Sequence, residues 1–284
     1  MKKILIGLTA AVMAVAPAHA VTLYGVTDAN NLVRFDSRTP GAVQSTVAIQ
    51  GLGNSTVLGI DFRTRDGFLY ALTDTRSLFR VNPNTGATSL VLANLAVTGT
   101  NFAFDFNPTN TNLRIVSNDN TNYFVRFNAP PIALVQQANA VYAPGSGLAD
   151  PDIIAAAYTN NDNNPATGTT LFVLDSSNDV LSTLNVATGA LTRIGALGVN
   201  IGTRSSFDIT GATTGIVLSG TTLSSINLST GSLTRIGTTS DAFFGLAAAV
   251  PEPATWAMMI IGFGAVGAAA RSSRRQRKSN TATA

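Results

Sequence analysis

Between residues 21 and 250 the chain contains no His, Cys, Lys or Glu, so the chemistry available there rests on Asp, Arg, Tyr, Ser, Thr and Asn. This excludes a Ser-His-Asp triad, a Cys-His pair, a lysine Schiff base and a His- or Cys-ligated zinc site. No disulfide can form anywhere in the chain, which lacks cysteine. Paired aspartates remain. Two carboxylates suffice for glycoside hydrolysis if held ~5 Å apart, or ~6.5–9.5 Å apart in the inverting form. Asp61, Asp105 and Asp208 stand out because each takes the same place in a matching phrase: Leu58-Gly59-Ile60-Asp61-Phe62, Phe102-Ala103-Phe104-Asp105-Phe106 and Ser206-Phe207-Asp208-Ile209. Like charges brought together demand a cation or raised pKa values, which makes Ca²⁺ the candidate ion; no other cofactor is indicated.

The elements that must hold these residues repeat. Leu23-Tyr24-Gly25-Val26-Thr27-Asp28 matches Leu69-Tyr70-Ala71-Leu72-Thr73-Asp74, and related phrases begin near residues 113, 171 and 215. Each copy continues into a second strand, and copies two, four and five then carry a Thr-Gly turn, as in Asn82-Pro83-Asn84-Thr85-Gly86. Period-two alternation and enrichment in Thr, Val, Ile and Phe predict strands throughout. Repeats of this length suit one four-stranded blade each. The aspartate phrases precede copies two, three and five, and Ile153–Tyr158 fills that place in copy four. The first copy lacks such a strand, and Phe243–Ala248 at the far end has no other home. The expected fold is therefore an all-β, five-bladed β-propeller whose C-terminal strand closes the ring and removes the open sheet edge. A two-sheet β-sandwich is the rival.

In a propeller the strands carrying Asp61, Asp105 and Asp208 would line the central channel, where the carboxylates could meet on an ion or a sugar. The structural alternative is that each accepts backbone hydrogen bonds within its own blade. The Asn/Asp-rich stretches at 118–122 and 159–168 offer oxygen ligands but lack the Glu and spacing of an EF-hand loop, and read as turns. Tyr24, Tyr70, Tyr123, Tyr142 and Tyr158, with Arg34, Arg80 and Arg126, have sugar-binding chemistry. The recurrence of several by blade position points instead to packing.

Both ends read as targeting segments. Met1-Lys2-Lys3, the apolar run Ile4–Val15 and Ala18-His19-Ala20 form a signal peptide (residues 1–20), with cleavage by signal peptidase after Ala20. At the other end Pro251-Glu252-Pro253 precedes an uncharged run (255–270) and a basic cluster (271–278) that holds five Arg or Lys. Sixteen residues make a short membrane span, with the basic end cytoplasmic. The body between them, residues 21–250, carries eleven Arg and fourteen Asp, a net charge near −3. The basic pI of the whole chain therefore comes from the ends, and the body has no basic stripe for nucleic acid.

Pro251-Glu252-Pro253 with Trp256-Ala257-Met258-Met259-Ile260 and Gly262-Phe263-Gly264 closely resembles the PEP-CTERM sorting signal of Gram-negative bacteria. That resemblance implies recognition and cleavage at Pro251–Pro253 by an exosortase, transient anchoring in the inner membrane, and delivery to the cell surface or medium, often alongside exported polysaccharide. The body, with its Leu-Tyr-Ala-Leu-Thr and Asn-Pro-x-Thr-Gly phrases, resembles an uncharacterised family of secreted propeller-like domains. The functional expectation is a non-catalytic binding or structural module linked to exopolysaccharide, with an Asp-dependent glycosidase as the alternative.

Overall fold

The computed structural model describes residues 20–128, 130–161, 166–210 and 214–249. Ala18, most of the signal segment, and the tail with Pro251, Glu252 and Pro253 lie outside the described residues. Those described form five sheets, antiparallel but for one added strand, arranged as a five-bladed propeller. Blade one is β1 (Thr22–Val26), β2 (Asn31–Asp36) and β3 (Thr39–Ala48); blade two is β4 (Val57–Phe62), β5 (Leu69–Thr73), β6 (Leu78–Val81) and β7 (Thr88–Leu92). Blade three is β8 (Phe102–Phe106), β9 (Leu113–Ser117), β10 (Asn122–Arg126) and β11 (Ala133–Gln137). The chain then makes β12 (Val141–Tyr142), followed by blade four from β13 (Ile153–Tyr158), β14 (Leu171–Asp175), β15 (Val180–Leu184) and β16 (Ala190–Ala196). Blade five is β17 (Ser205–Ile209), β18 (Thr214–Ser219), β19 (Thr222–Asn227) and β20 (Leu233–Thr238), and β21 (Leu246–Ala248) ends the described chain.

β21 pairs with β1 (Leu23 opposite Ala248, Gly25 opposite Leu246), so the last strand completes the first blade and closes the ring. It is shorter than the stretch Phe243–Ala248 expected for it. Phe243 instead turns aside to stack on Phe35, with ring centroids 5.6 Å apart. The innermost strands β4, β8, β13, β17 and β21 touch their neighbours in a closed circle. Five apolar clusters fill the five interfaces between blades, one in each. Because both faces of a blade are covered, the inner strands are buried at nearly every position and their alternation disappears.

The turns explain the recurring Asn-x-x-Thr-Gly phrase. Asn82 Oδ1 accepts the N–H groups of Asn84 (2.9 Å) and Thr85 (3.2 Å), and Asn185 Oδ1 does the same for Ala187 and Thr188. Gly86 and Gly189 follow at φ 72° and 75°. A Cβ at either would also collide with a neighbouring carbonyl, that of Ala48 or Asn139. β12 is a fifth strand in blade four, parallel to β16, and the repeat pattern contains no counterpart for it. Its anchor is Tyr142, whose buried hydroxyl donates to Asp175 Oδ2 at 2.9 Å and lies 2.9 Å from Ser182 Oγ.

Candidate functional site

Asp61, Asp105 and Asp208 sit at one register position of β4, β8 and β17, opposite Tyr70, Arg114 and Ile216. All three are buried, at 5%, 2% and 2% exposure. Each reaches across to the next blade. Asp61 Oδ2 accepts Phe106 N–H of β8 at 2.8 Å, Asp105 Oδ2 accepts Tyr158 N–H of β13 at 2.7 Å, and Asp208 Oδ2 accepts Ala248 N–H of β21 at 2.6 Å. Asp61 Oδ1 also takes its own neighbour's N–H, that of Phe62, at 2.7 Å. The recurring acid is thus a latch between successive blades, where hydrogen bonds within one blade were the structural expectation.

The three carboxyls also feel one another. Burial, then the charge of Asp208, push Asp61 well above the usual carboxylate range. Burial, then the charges of Asp61 and Asp208, do the same to Asp105. Burial raises Asp208 to about 7, against backbone N–H groups of Ala248 and Ile209 that favour its charge. Asp208 Oδ1 is buried with no hydrogen-bond partner. Among the described residues, no group of three or more acidic side chains is arranged to hold a metal ion.

Beyond this ring of latches, where the inner strands begin, lies a cavity of about 230 Å³. Ile60, Phe104, Ala156, Phe207 and Leu246 bring one inner strand each to its wall, and Thr100, Asn101, Arg204 and Phe244 form part of its rim. The N–H groups of Phe62, Phe106, Tyr158 and Ala248 go to aspartates. The two-residue period of a strand therefore turns the peptide groups of Ile60, Phe104, Ala156 and Leu246 toward the axis as well. These peptide edges form part of the cavity wall, beside apolar side chains.

Two arginines rest on phenylalanine rings at this mouth. The Arg76 guanidinium lies 4.7 Å from the Phe102 centroid and is tied down, donating to the carbonyls of Asp74 (3.0 Å) and Gly99 (2.7 Å). Arg204 lies 4.3 Å from the Phe244 centroid, is exposed, and makes no hydrogen bond or ion pair among the described residues. Several acids on the same face are engaged in holding loops. Asp74 accepts Thr56 N–H at 3.0 Å, Asp152 accepts Ser176 Oγ–H at 2.6 Å, and Asp179 accepts Ile201 N–H at 2.9 Å. Asp119 takes Ser117 Oγ–H and Thr121 Oγ1–H; burial opposes its charge, but these hydrogen bonds prevail and lower it to about 2.

The other sequence candidates take structural places. Asn118 Oδ1 accepts Thr100 N–H at 2.8 Å and Asn101 N–H at 3.1 Å, so the 118–122 tip braces the cavity rim. In the 159–168 insertion Asn160 Nδ2 closes onto the Gly168 carbonyl at 2.8 Å; residues 162–165 lie outside the described set. Tyr24, Tyr70, Tyr123, Tyr142 and Tyr158 are all buried. Arg80 packs its guanidinium on Phe68, at 4.3 Å on the outer part of blade two. Arg34 is exposed on β2, and Arg126, half-buried, has an Nε without a partner.

Two features escaped the residue pattern. Arg204 and Phe244 lie on loops entering different inner strands, so only ring closure brings them together. Arg114 is a buried cation held by neutral acceptors: Asn122 Oδ1 at 2.7 Å, Gln137 Oε1 at 2.6 Å and the Tyr123 carbonyl at 3.3 Å, with Tyr158 Oη 3.3 Å from its Nε. It joins blades three and four.

No curated protein matches this sequence. A PEP-CTERM protein-sorting motif matches residues 249–275, beginning one residue after the strand that closes the ring. A domain of unknown function, DUF4394, matches residues 31–247, which is nearly the whole propeller, and the chain belongs to that family.

Proposed function

We propose that this protein is an exported, non-catalytic module, released or displayed after an exosortase acts on its tail, that binds or organises exopolysaccharide. The observation that carries the non-catalytic reading is the employment of the clustered aspartates. A two-carboxylate hydrolase needs an acid and a base facing a substrate across an open cleft. Asp61, Asp105 and Asp208 are instead buried and bonded to backbone N–H groups of neighbouring blades. The sorting motif supports export, and the regular ring with a polar mouth supports a binding role.

The test is a glycan array probed with the full chain in detergent, with and without Ca²⁺, alongside a reducing-end assay on the same glycans. Saccharide binding without new reducing ends is expected, unchanged by chelator. Hydrolysis that disappears in Asp61→Asn or Asp105→Asn, in protein that still melts cooperatively, would favour the glycosidase instead.

A further inference from the structure

We propose that the channel mouth takes a carboxylate-bearing sugar, a uronate residue of a polysaccharide, with Arg204 as the fork for its carboxylate. This rests on the saccharide-binding reading above and adds the site and the chemical class. Three observations converge. The cavity holds about 230 Å³, below the ~300–1,000 Å³ of pockets for drug-sized ligands, and so suits one ring. Its wall presents peptide N–H and C=O edges from the inner strands, which match a ring of hydroxyls that both donate and accept. Its rim carries Arg204, a cation that makes no hydrogen bond or ion pair among the described residues.

The contrast between the two stacked arginines gives the site its character. Both lie over a phenylalanine within 5 Å. Arg76 directs its guanidinium into two backbone carbonyls and serves the fold. Among the described residues Arg204 is oriented by Phe244 alone, which holds a guanidinium on its flat face and leaves the N–H edge open. A planar N–H fork matches a carboxylate two bonds at a time, and such charge-assisted bonds are the strong ones. The body as a whole is acidic, near −3, and several acids share the mouth face. That background repels anions in general, so a preference for uronate over a neutral sugar can come only from a local contact.

The experiment compares two oligosaccharides of equal length and linkage, one ending in glucuronate and one in glucose, titrated calorimetrically into the full chain in detergent at 0.15 M salt. The glucuronate form is expected to bind at least about tenfold tighter, as one charge-assisted contact would give. Arg204→Gln, checked by its melting curve, should remove that preference, while Arg65→Gln on the opposite face leaves it intact. Equal affinity for both sugars, or a preference that survives Arg204→Gln, overturns the uronate site and leaves the saccharide-binding function standing. No binding of either sugar, together with an array on which no saccharide is held, overturns both.

Discussion

Neutralising Asp208 should stabilise this protein in mild alkali, where most buried aspartates do the opposite. Its folded-state pKa is raised to about 7 from a reference of 3.8, chiefly by burial. Between those values the folded chain binds a proton that the unfolded chain has lost. Unfolding free energy therefore falls as pH rises through this window: the contribution is fully present below pH ~4 and gone above pH ~7. Three units at 1.36 kcal/mol each amount to about 4 kcal/mol, and the raised Asp61 and Asp105 act in the same direction. Asp119, lowered to about 2, works oppositely and only below pH ~4, so stability should peak near pH ~4. Asp208→Asn keeps an oxygen for Ala248 N–H and mimics the protonated acid. Urea melts at pH 4 and pH 8 provide the assay. Wild type should lose several kcal/mol between the two, and Asp208→Asn should match it at pH 4 and exceed it at pH 8. A wild-type stability that is flat or rises across this range would refute the reading that burial raises the latch aspartates.

Gly189→Ala should cost about 1–3 kcal/mol or more in urea melts, because the φ of 75° and the Asn139 carbonyl both oppose a Cβ; a neutral result would remove the explanation of the Thr-Gly turn. Arg114→Ala should destabilise by about 3 kcal/mol, since it strands the acceptors of Asn122 and Gln137 and leaves a void between blades three and four. Deleting Leu246–Ala248 should abolish the cooperative thermal transition, because it opens the ring at blade one, whereas a chain ending at Val250 should keep it. Full cooperativity in the Leu246–Ala248 deletion would show that closure is dispensable.

How much of this was legible in the sequence depended on whether the signal was local. The strands, their order and the closing role of β21 could be read because each blade repeats its own phrase, and the Asn-to-Gly turns because their hydrogen bonds stay within five residues. The register shared by Asp61, Asp105 and Asp208 was equally plain. Their acceptor role across blades was not, since the partners lie 40 to 53 residues away. Arg114 gave no signal because β9 is buried on both faces, which erases the alternation that would flag an inward cation. β12 is two residues long and parallel, beneath any period. Arg204 and Phe244 meet only because the chain closes on itself.

The placing of the aspartates follows from the hydrogen bonds an inner edge leaves open. In a closed ring each innermost strand turns one side of its backbone to the axis, where no sixth strand can pair with it. Five N–H groups, those of Phe62, Phe106, Tyr158, Ile209 and Ala248, occupy equivalent places there. Five aspartates would cap them all, but five buried carboxyls on one axis would repel one another strongly. Ala157 and Ala247 hold the aspartate position in blades four and one, as their pairing with Phe172 and Tyr24 shows. In each case the aspartate of the next blade compensates. Asp61, which follows Ala247, gives one oxygen to its own Phe62 N–H and the other to Phe106 N–H. Asp208, which follows Ala157, bonds Ala248 N–H, while Ile209 N–H faces its carboxyl. Asp105 follows another aspartate, whose carboxylate already takes Phe106 N–H, so Asp105 serves Tyr158 N–H of the next blade alone. Three acids thus bond four of the five donors and face the fifth, with less buried charge than five would bring, and the pattern of Asp and Ala around the ring follows from its closure.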